Sequence, residues 1–187
     1  MRSQTWWYAA RAGGIVAWAL ASLAVISGLQ FSTRLVRKPA PNWMLDVHRF
    51  LGGLTVAFVG VHLIGLAADQ FIGFGPVDIL VPFASSYKPA AVALGVIGMY
   101  LLVAIELTSL AMRKMPRRTW HAVHLTSFVL FAVATVHGLT AGTDRHNALF
   151  QWACLLTAAV VLMMTLVRIW SPRRQARAAA SVAPRAP

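Results

Sequence analysis

One stretch limits what this chain can become: residues 46–69, DVHRFLGGLTVAFVGVHLIGLAAD. It is apolar for long enough to cross a bilayer, yet it holds two histidines, His48 and His62, fourteen residues apart. On a helix that spacing is about 21 Å of rise and leaves the imidazoles about 40° apart around the axis, one toward each membrane surface. A second run, 119–144, repeats the pattern with His124 and His137. The framing repeats too. Asn42 and Arg118 each lie six residues before the first histidine, and Asp69 and Asp144 each lie seven after the second. Two helices with histidines at matching depths can hold two metal centres stacked across the membrane.

Composition agrees with a membrane setting. The chain has 187 residues, 58% hydrophobic and 12% charged, and a mean hydropathy of +0.66, more apolar surface than a soluble domain this size can hide. The expected fold class is therefore all-α and integral to the membrane, a five-helix transmembrane bundle with its sites between spans two and four. No hydrophilic stretch is long enough for a second domain, and there is no G-x-G-x-x-G nucleotide fingerprint. Cys154 is the only cysteine, which excludes an intrachain disulfide, a thiolate cluster and a C-x-x-C-H haem attachment; it reads as a small apolar residue of the last span. The net charge of +12 sits at the ends of apolar spans, where topology signals belong. That distribution speaks for lipid and against nucleic acid.

In chain order, 1–11 reads as a short extracytoplasmic N-terminus with interfacial Trp6, Trp7 and Tyr8. Residues 12–170 form the five-span domain and 171–187 a basic disordered tail. The first span covers 12–31, with Gly28 free for a close helix or ring contact. Pro39 and Pro41 stop one helix and open the next. Gly52, Gly53, Gly60 and Gly65 around the span-two histidines suit either helix packing or a flat ligand. Residues 70–88 are too apolar for a free loop and too broken to span, so they are expected to form an interfacial or re-entrant segment that lids the outer site. Pro89 opens the third span, where Glu106 is either functional or paired with Arg113 and Lys114. The fifth span, 147–167, has no histidine.

Thirteen of the seventeen Lys and Arg fall on the first and third connections and the tail; only Arg2, Arg11, Lys88 and Arg145 fall on the other side. The positive-inside rule then places the tail in the cytoplasm and the N-terminus outside, across the plasma (inner) membrane. Spans two and four run in the same direction, as the depth matching requires.

Imidazole is a strong axial ligand for haem iron, and two make a low-spin centre suited to electron transfer. Pairing by depth gives His48 with His124 at an inner haem and His62 with His137 at an outer one. These four are the expected iron ligands of two b-type haems. His124 and His137 are thirteen residues apart, about 140° on an ideal helix. That predicts either an irregularity such as a π-bulge in span four or two offset irons. His121 reads as interfacial; a zinc site from His121-x-x-His124 lacks a third ligand. Arg49, Arg117 and Arg118 inside, and Lys88 and Arg145 outside, are candidate propionate contacts. Trp43 and Trp120 either flank the inner ring or anchor the interface.

With these residues in view, the chain resembles the ferric reductase-like transmembrane domain shared by ferric reductases, NADPH oxidases and the haem subunit of a periplasmic methionine sulfoxide reductase. The resemblance rests on His48-x13-His62, on His124-x12-His137 two spans later, and on Trp120-x-x-x-His124. It covers roughly 45–144, and LVPFASSYKP before the third span looks like small stand-alone bacterial members. The family domain has six spans against five here, and larger members carry a fused flavin and nicotinamide module. The resemblance implies that the four histidines ligate two b haems relaying electrons outward. The donor would be a separate flavoprotein or a membrane quinol, and the acceptor ferric iron, oxygen or a redox protein outside. Whether the chain is itself an enzyme or an electron-transfer subunit stays open. The competing class is a haem-free transporter or scaffold, its histidines and Glu106 lining a proton or metal path.

Overall fold

The computed structural model describes residues 4–33 and 41–170. The expected helix stop at Pro39 and the disordered tail at 171–187 lie outside the described residues. All described secondary structure is helical: α1 Thr5–Thr33, α2 Asn42–Ala68, α3 Pro76–Leu80, α4 Pro89–Leu110, α5 Arg117–Leu125, α6 Ser127–Ala141 and α7 Ala148–Trp170, with short 3₁₀ turns at Met112–Lys114 and Thr143–His146. Counting α5 and α6 as one span, five helices are long and apolar enough to cross a membrane. The chain is a multi-pass membrane protein. α1 starts seven residues earlier than expected, so Trp6, Trp7 and Tyr8 are its first turn.

Local chemistry sets the boundaries. Pro41 precedes α2, where a missing N–H costs nothing. α2 ends where Asp69 turns extended, its N–H still reaching the Gly65 carbonyl at 3.0 Å. The Asp69 carboxylate then takes the N–H groups of Phe71 and Ile72, each at 3.2 Å, which starts the 70–88 connection. That connection folds as turns around α3. Lys88 adopts a left-handed conformation (φ 42°) immediately before Pro89 at the start of α4. Its Nζ donates to the carbonyls of Thr140 (3.0 Å) and Ala141 (3.3 Å), capping α6 at its negative end.

α1 and α2 pack as an antiparallel pair along most of their length. Their approach is backbone to backbone: a Cβ on Gly65 would stand 2.6 Å from Ala10 N, and one on Gly13 3.0 Å from His62 N. α4 packs against α5 and α6 as a second such pair. Leu102 and Ile105 of α4 meet Leu130 of α6, with Val59 of α2 and Val123 of α5 around them. α7 lies outside this ring. It joins α1 and α6 through Leu29, Phe131, Val161 and Met164.

Span four is not one helix. It breaks at Thr126, whose N–H and Oγ1 both donate to the Val123 carbonyl, at 3.0 and 2.7 Å. This is a tightened, i→i−3 turn rather than a π-bulge. Thirteen residues of ideal helix fall about 140° short of whole turns. Tighter winding supplies part of that shortfall, turning His137 back toward the side that carries His124.

Candidate functional site

The bundle brings the four histidines together in two pairs. The rings of His48 (α2) and His124 (α5) have centroids 5.9 Å apart, with planes at 66°. Those of His62 (α2) and His137 (α6) are 6.4 Å apart, at 82°. All four side chains are half-buried.

Each ring sits on a neighbouring helix in a similar way. His62 lies on α1, with Nδ1 2.7 Å from the Ala10 carbonyl. A Cβ on Gly14 would stand 3.0 Å from the same nitrogen. His48 lies fourteen residues further along α1, with Nδ1 3.1 Å from the Ala24 carbonyl and 3.0 Å from Ser27 Oγ, and Gly28 beside its Cε1. His137 lies on α4, with Nδ1 2.7 Å from the Ala91 carbonyl. A Cβ on Gly95 would be 2.6 Å from its ring. A carbonyl can only accept, so Nδ1 carries the proton in these three rings and Nε2 keeps its lone pair. Metal-ligating histidines are held in this way, with the second nitrogen bonded to a backbone or acidic acceptor. Among the described residues His124 alone has no carbonyl partner; Ser109 Oγ lies 3.5 Å from its Nδ1, and Trp120 stacks on it at 5.0 Å and 24°.

The two ends differ in their surroundings. At the His62 end a cavity of about 230 Å³ includes both histidines, Gly14, Gly95, Trp18 and Phe150. Ile72, Phe74 and Tyr87 of the 70–88 connection line it as well, so that connection closes this site as its composition suggested. Arg11 and Asp144 also line it and form an ion pair. Trp18 Nε1 donates to Thr135 Oγ1 at 3.0 Å and its ring meets Phe150 edge-on. At the His48 end, Trp120 Nε1 is buried and has no acceptor among the described residues.

Other singled-out residues land as follows. Arg49 is exposed and only 4.0 Å from Asp46; Arg117, Arg118 and Arg145 form no ion pair among the described residues. Lys88 is engaged at the end of α6. Trp43 is 63% exposed and Trp120 packs on His124. His121 is exposed, its ring near Trp120, and no group of three or more His, Cys, Asp or Glu able to hold a metal ion comes together among the described residues. Glu106 is not paired with Arg113 or Lys114; its carboxyl lies against Gly52 of α2. Cys154 is buried. Of the four span-two glycines, Gly65 serves helix packing, Gly52 faces Glu106, and Gly53 and Gly60 meet nothing within 4 Å. The glycines that abut histidines lie on other helices. Gly28 was suggested by the sequence; Gly14, Gly95 and the cavity cation Arg11 were not. Gly14 and Gly28 share the fourteen-residue spacing of His48 and His62, and this is the signal that could have found them.

Fold and site together define an all-helical, multi-pass membrane protein built around two stacked histidine pairs. The family model described as "Ferric reductase like transmembrane component" matches residues 13–135, about two thirds of the chain, and the chain belongs to that family. The match takes in the first span, which the resemblance at 45–144 left out, and reaches His48, His62 and His124, stopping two residues before His137. No curated protein and no solved structure matches the chain. Membership carries a membrane electron-transfer role and an association with haem.

Proposed function

We propose that the chain is a membrane b-type dihaem cytochrome, with His48 and His124 as axial ligands of an inner haem and His62 and His137 of an outer one. The observation that carries this reading is the spacing within each pair. Two imidazoles that hold one metal between them at roughly 2 Å each would have ring centres roughly 6 Å apart. The ring centroids are 5.9 and 6.4 Å apart. The carbonyls of Ala10, Ala24 and Ala91 fix the tautomer that leaves Nε2 to the metal. The unpartnered Trp120 Nε1 is a donor in want of an acceptor, which a propionate at the inner site provides.

Haem bound at both sites would relay single electrons from the cytoplasmic side to the outer side. The chain's own part is to hold, seal and orient. With two histidines holding each haem, the group would serve electron transfer rather than bind a substrate at its metal. The 70–88 connection excludes water from the outer site. Arg49, Arg117 and Arg118 are the inner candidates for propionate contact, and Arg145 the outer one. Lys88 is already occupied at α6 and Arg11 at Asp144. The donor is a separate flavoprotein or a membrane quinol, and the acceptor ferric iron, oxygen or a redox protein outside.

The test is a dithionite-reduced minus oxidised spectrum of purified protein, with haem counted by pyridine haemochrome. Two low-spin b haems per chain are expected, and one after His62→Ala. A folded protein without haem would sink this reading in favour of a proton or metal path through the histidines and Glu106.

A further inference from the structure

The four histidine seats follow one grammar with one exception. At His62, His48 and His137 the partner helix offers a carbonyl and, four residues later, a glycine: Ala10 with Gly14, Ala24 with Gly28, Ala91 with Gly95. The glycine matters because a Cβ there would crowd the ring, standing 2.6 Å from it at Gly95, 3.0 Å at Gly14 and 3.3 Å at Gly28, and push it off the carbonyl. The fourth seat lies fourteen residues beyond Gly95 on α4, as Gly28 lies fourteen beyond Gly14 on α1. There the pair is Ile105 with Ser109. The serine occupies the place of the glycine, and its hydroxyl stands 3.5 Å from His124 Nδ1.

We propose that Ser109 is a positioning residue that sets the inner haem's reduction potential apart from the outer one's. The inference rests on the dihaem reading. A strong acceptor on Nδ1–H makes an imidazole a better donor to iron, which favours the ferric state and lowers the potential. Both outer histidines have such acceptors, at 2.7 Å. At the inner site His48 shares its Nδ1–H between the Ala24 carbonyl and Ser27 Oγ at 3.1 and 3.0 Å, and His124 has, among the described residues, only the distant hydroxyl. The inner haem is therefore held at the higher potential. What sets the His124 seat apart from the other three is the Nδ1 partner: a hydroxyl at 3.5 Å in place of a carbonyl at 2.7–3.1 Å. Each iron exchanges one electron between ferric and ferrous states; dithionite supplies it and ferricyanide removes it in the experiment.

Ser109 gives substitutions of opposite sign. Ser109→Gly opens the seat to the Ile105 carbonyl and completes the grammar, so the inner potential falls toward the outer one. Ser109→Ala blocks the carbonyl and removes the hydroxyl, so the inner potential rises. Ser109→Thr keeps the hydroxyl and leaves it in place. Spectroscopic potentiometry of the purified holoprotein reads all three, with His62→Ala identifying which step belongs to the inner haem. Ser109→Cys, with a weak acceptor in the same shape, repeats the alanine test if that variant loses its inner haem. Opposite shifts confined to the inner step support the proposal. Shifts of the same sign, no shift, or a shift in the outer step overturn it. A wild-type protein without two low-spin haems overturns the dihaem reading itself, and this inference with it.

Discussion

A Cβ added at Gly95 would stand 2.6 Å from Cε1 and 2.9 Å from Nδ1 of His137. These are atoms of a ring already held by the Ala91 carbonyl, so it has nowhere to go without losing that bond. Gly95→Ala is expected to lose the outer haem while the inner one stays, read by pyridine haemochrome as a drop from two haems to one. Gly53→Ala is the control. Nothing lies within 4 Å of that position, and the added methyl raises helix propensity by about 0.5–1 kcal/mol, so both haems stay and thermal stability rises slightly. Trp120 makes a different demand. Its ring stacks on His124 while its N–H is buried without an acceptor, and an unmade buried bond costs about 1–3 kcal/mol. Trp120→Phe keeps the stack and removes the donor. It is expected to loosen haem at the inner site only, measured as faster transfer of one haem to an apo-globin acceptor. The histidines were legible in sequence because their depth is a matter of spacing along one chain. Their seats were not, because Gly14 and Gly95 become meaningful only when α1 is laid on α2 and α4 on α6.

At the scale of elements, the thirteen-residue interval between His124 and His137 left two readings, an irregular span four or two irons offset around a regular one, and the structure shows the irregular span. The kind of irregularity was not readable. A π-bulge and a tightened turn both change the phase of the helix, and the choice falls on Thr126, whose hydroxyl bonds the Val123 carbonyl at 2.7 Å. α5 and α6 are therefore phased separately, each against α4. One alanine inserted after Thr126 rotates one segment against the other by about 100° and advances it about 1.5 Å. It is expected to abolish one histidine pair while the protein still inserts, giving one haem per chain. The same insertion after Ala159, in α7 outside the histidine ring, is expected to leave both haems. The lid also shows what composition can say of an element. Its apolar character predicted a cover for the site at 70–88, while the short α3 and the left-handed Lys88 that anchors it to the end of α6 depend on a carbonyl more than fifty residues away.

At the scale of the whole molecule, the question is which way the stack of two sites faces. Four basic residues fall on the side opposite the tail: Arg2, Arg11, Lys88 and Arg145. The structure takes two of them out of the account. Arg11 is paired with Asp144, and Lys88 spends its ammonium on the carbonyls that end α6. Positive charge held by a partner in the fold still counts during insertion, but among the described residues of this face only Arg145 keeps its charge outside an ion pair or helix cap. Asp69 and Asp78 lie on the same side, bonded to backbone N–H groups of the 70–88 connection. The opposite end carries Arg49, Arg113, Lys114, Arg117 and Arg118 beside the His48 pair. These lie within a helical turn or two of the span ends, where the positive-inside rule has its force. On that rule the expected orientation has the His48 site toward the cytoplasm and the His62 site, under its lid, toward the outside. Fusing green fluorescent protein, which matures in the cytoplasm, or alkaline phosphatase, which is active only outside, to each terminus measures this. Fluorescence at the C-terminus and phosphatase activity at the N-terminus are expected. The reverse pattern would put the lidded cavity on the cytoplasmic side, and the two sites would exchange the roles of electron entry and exit.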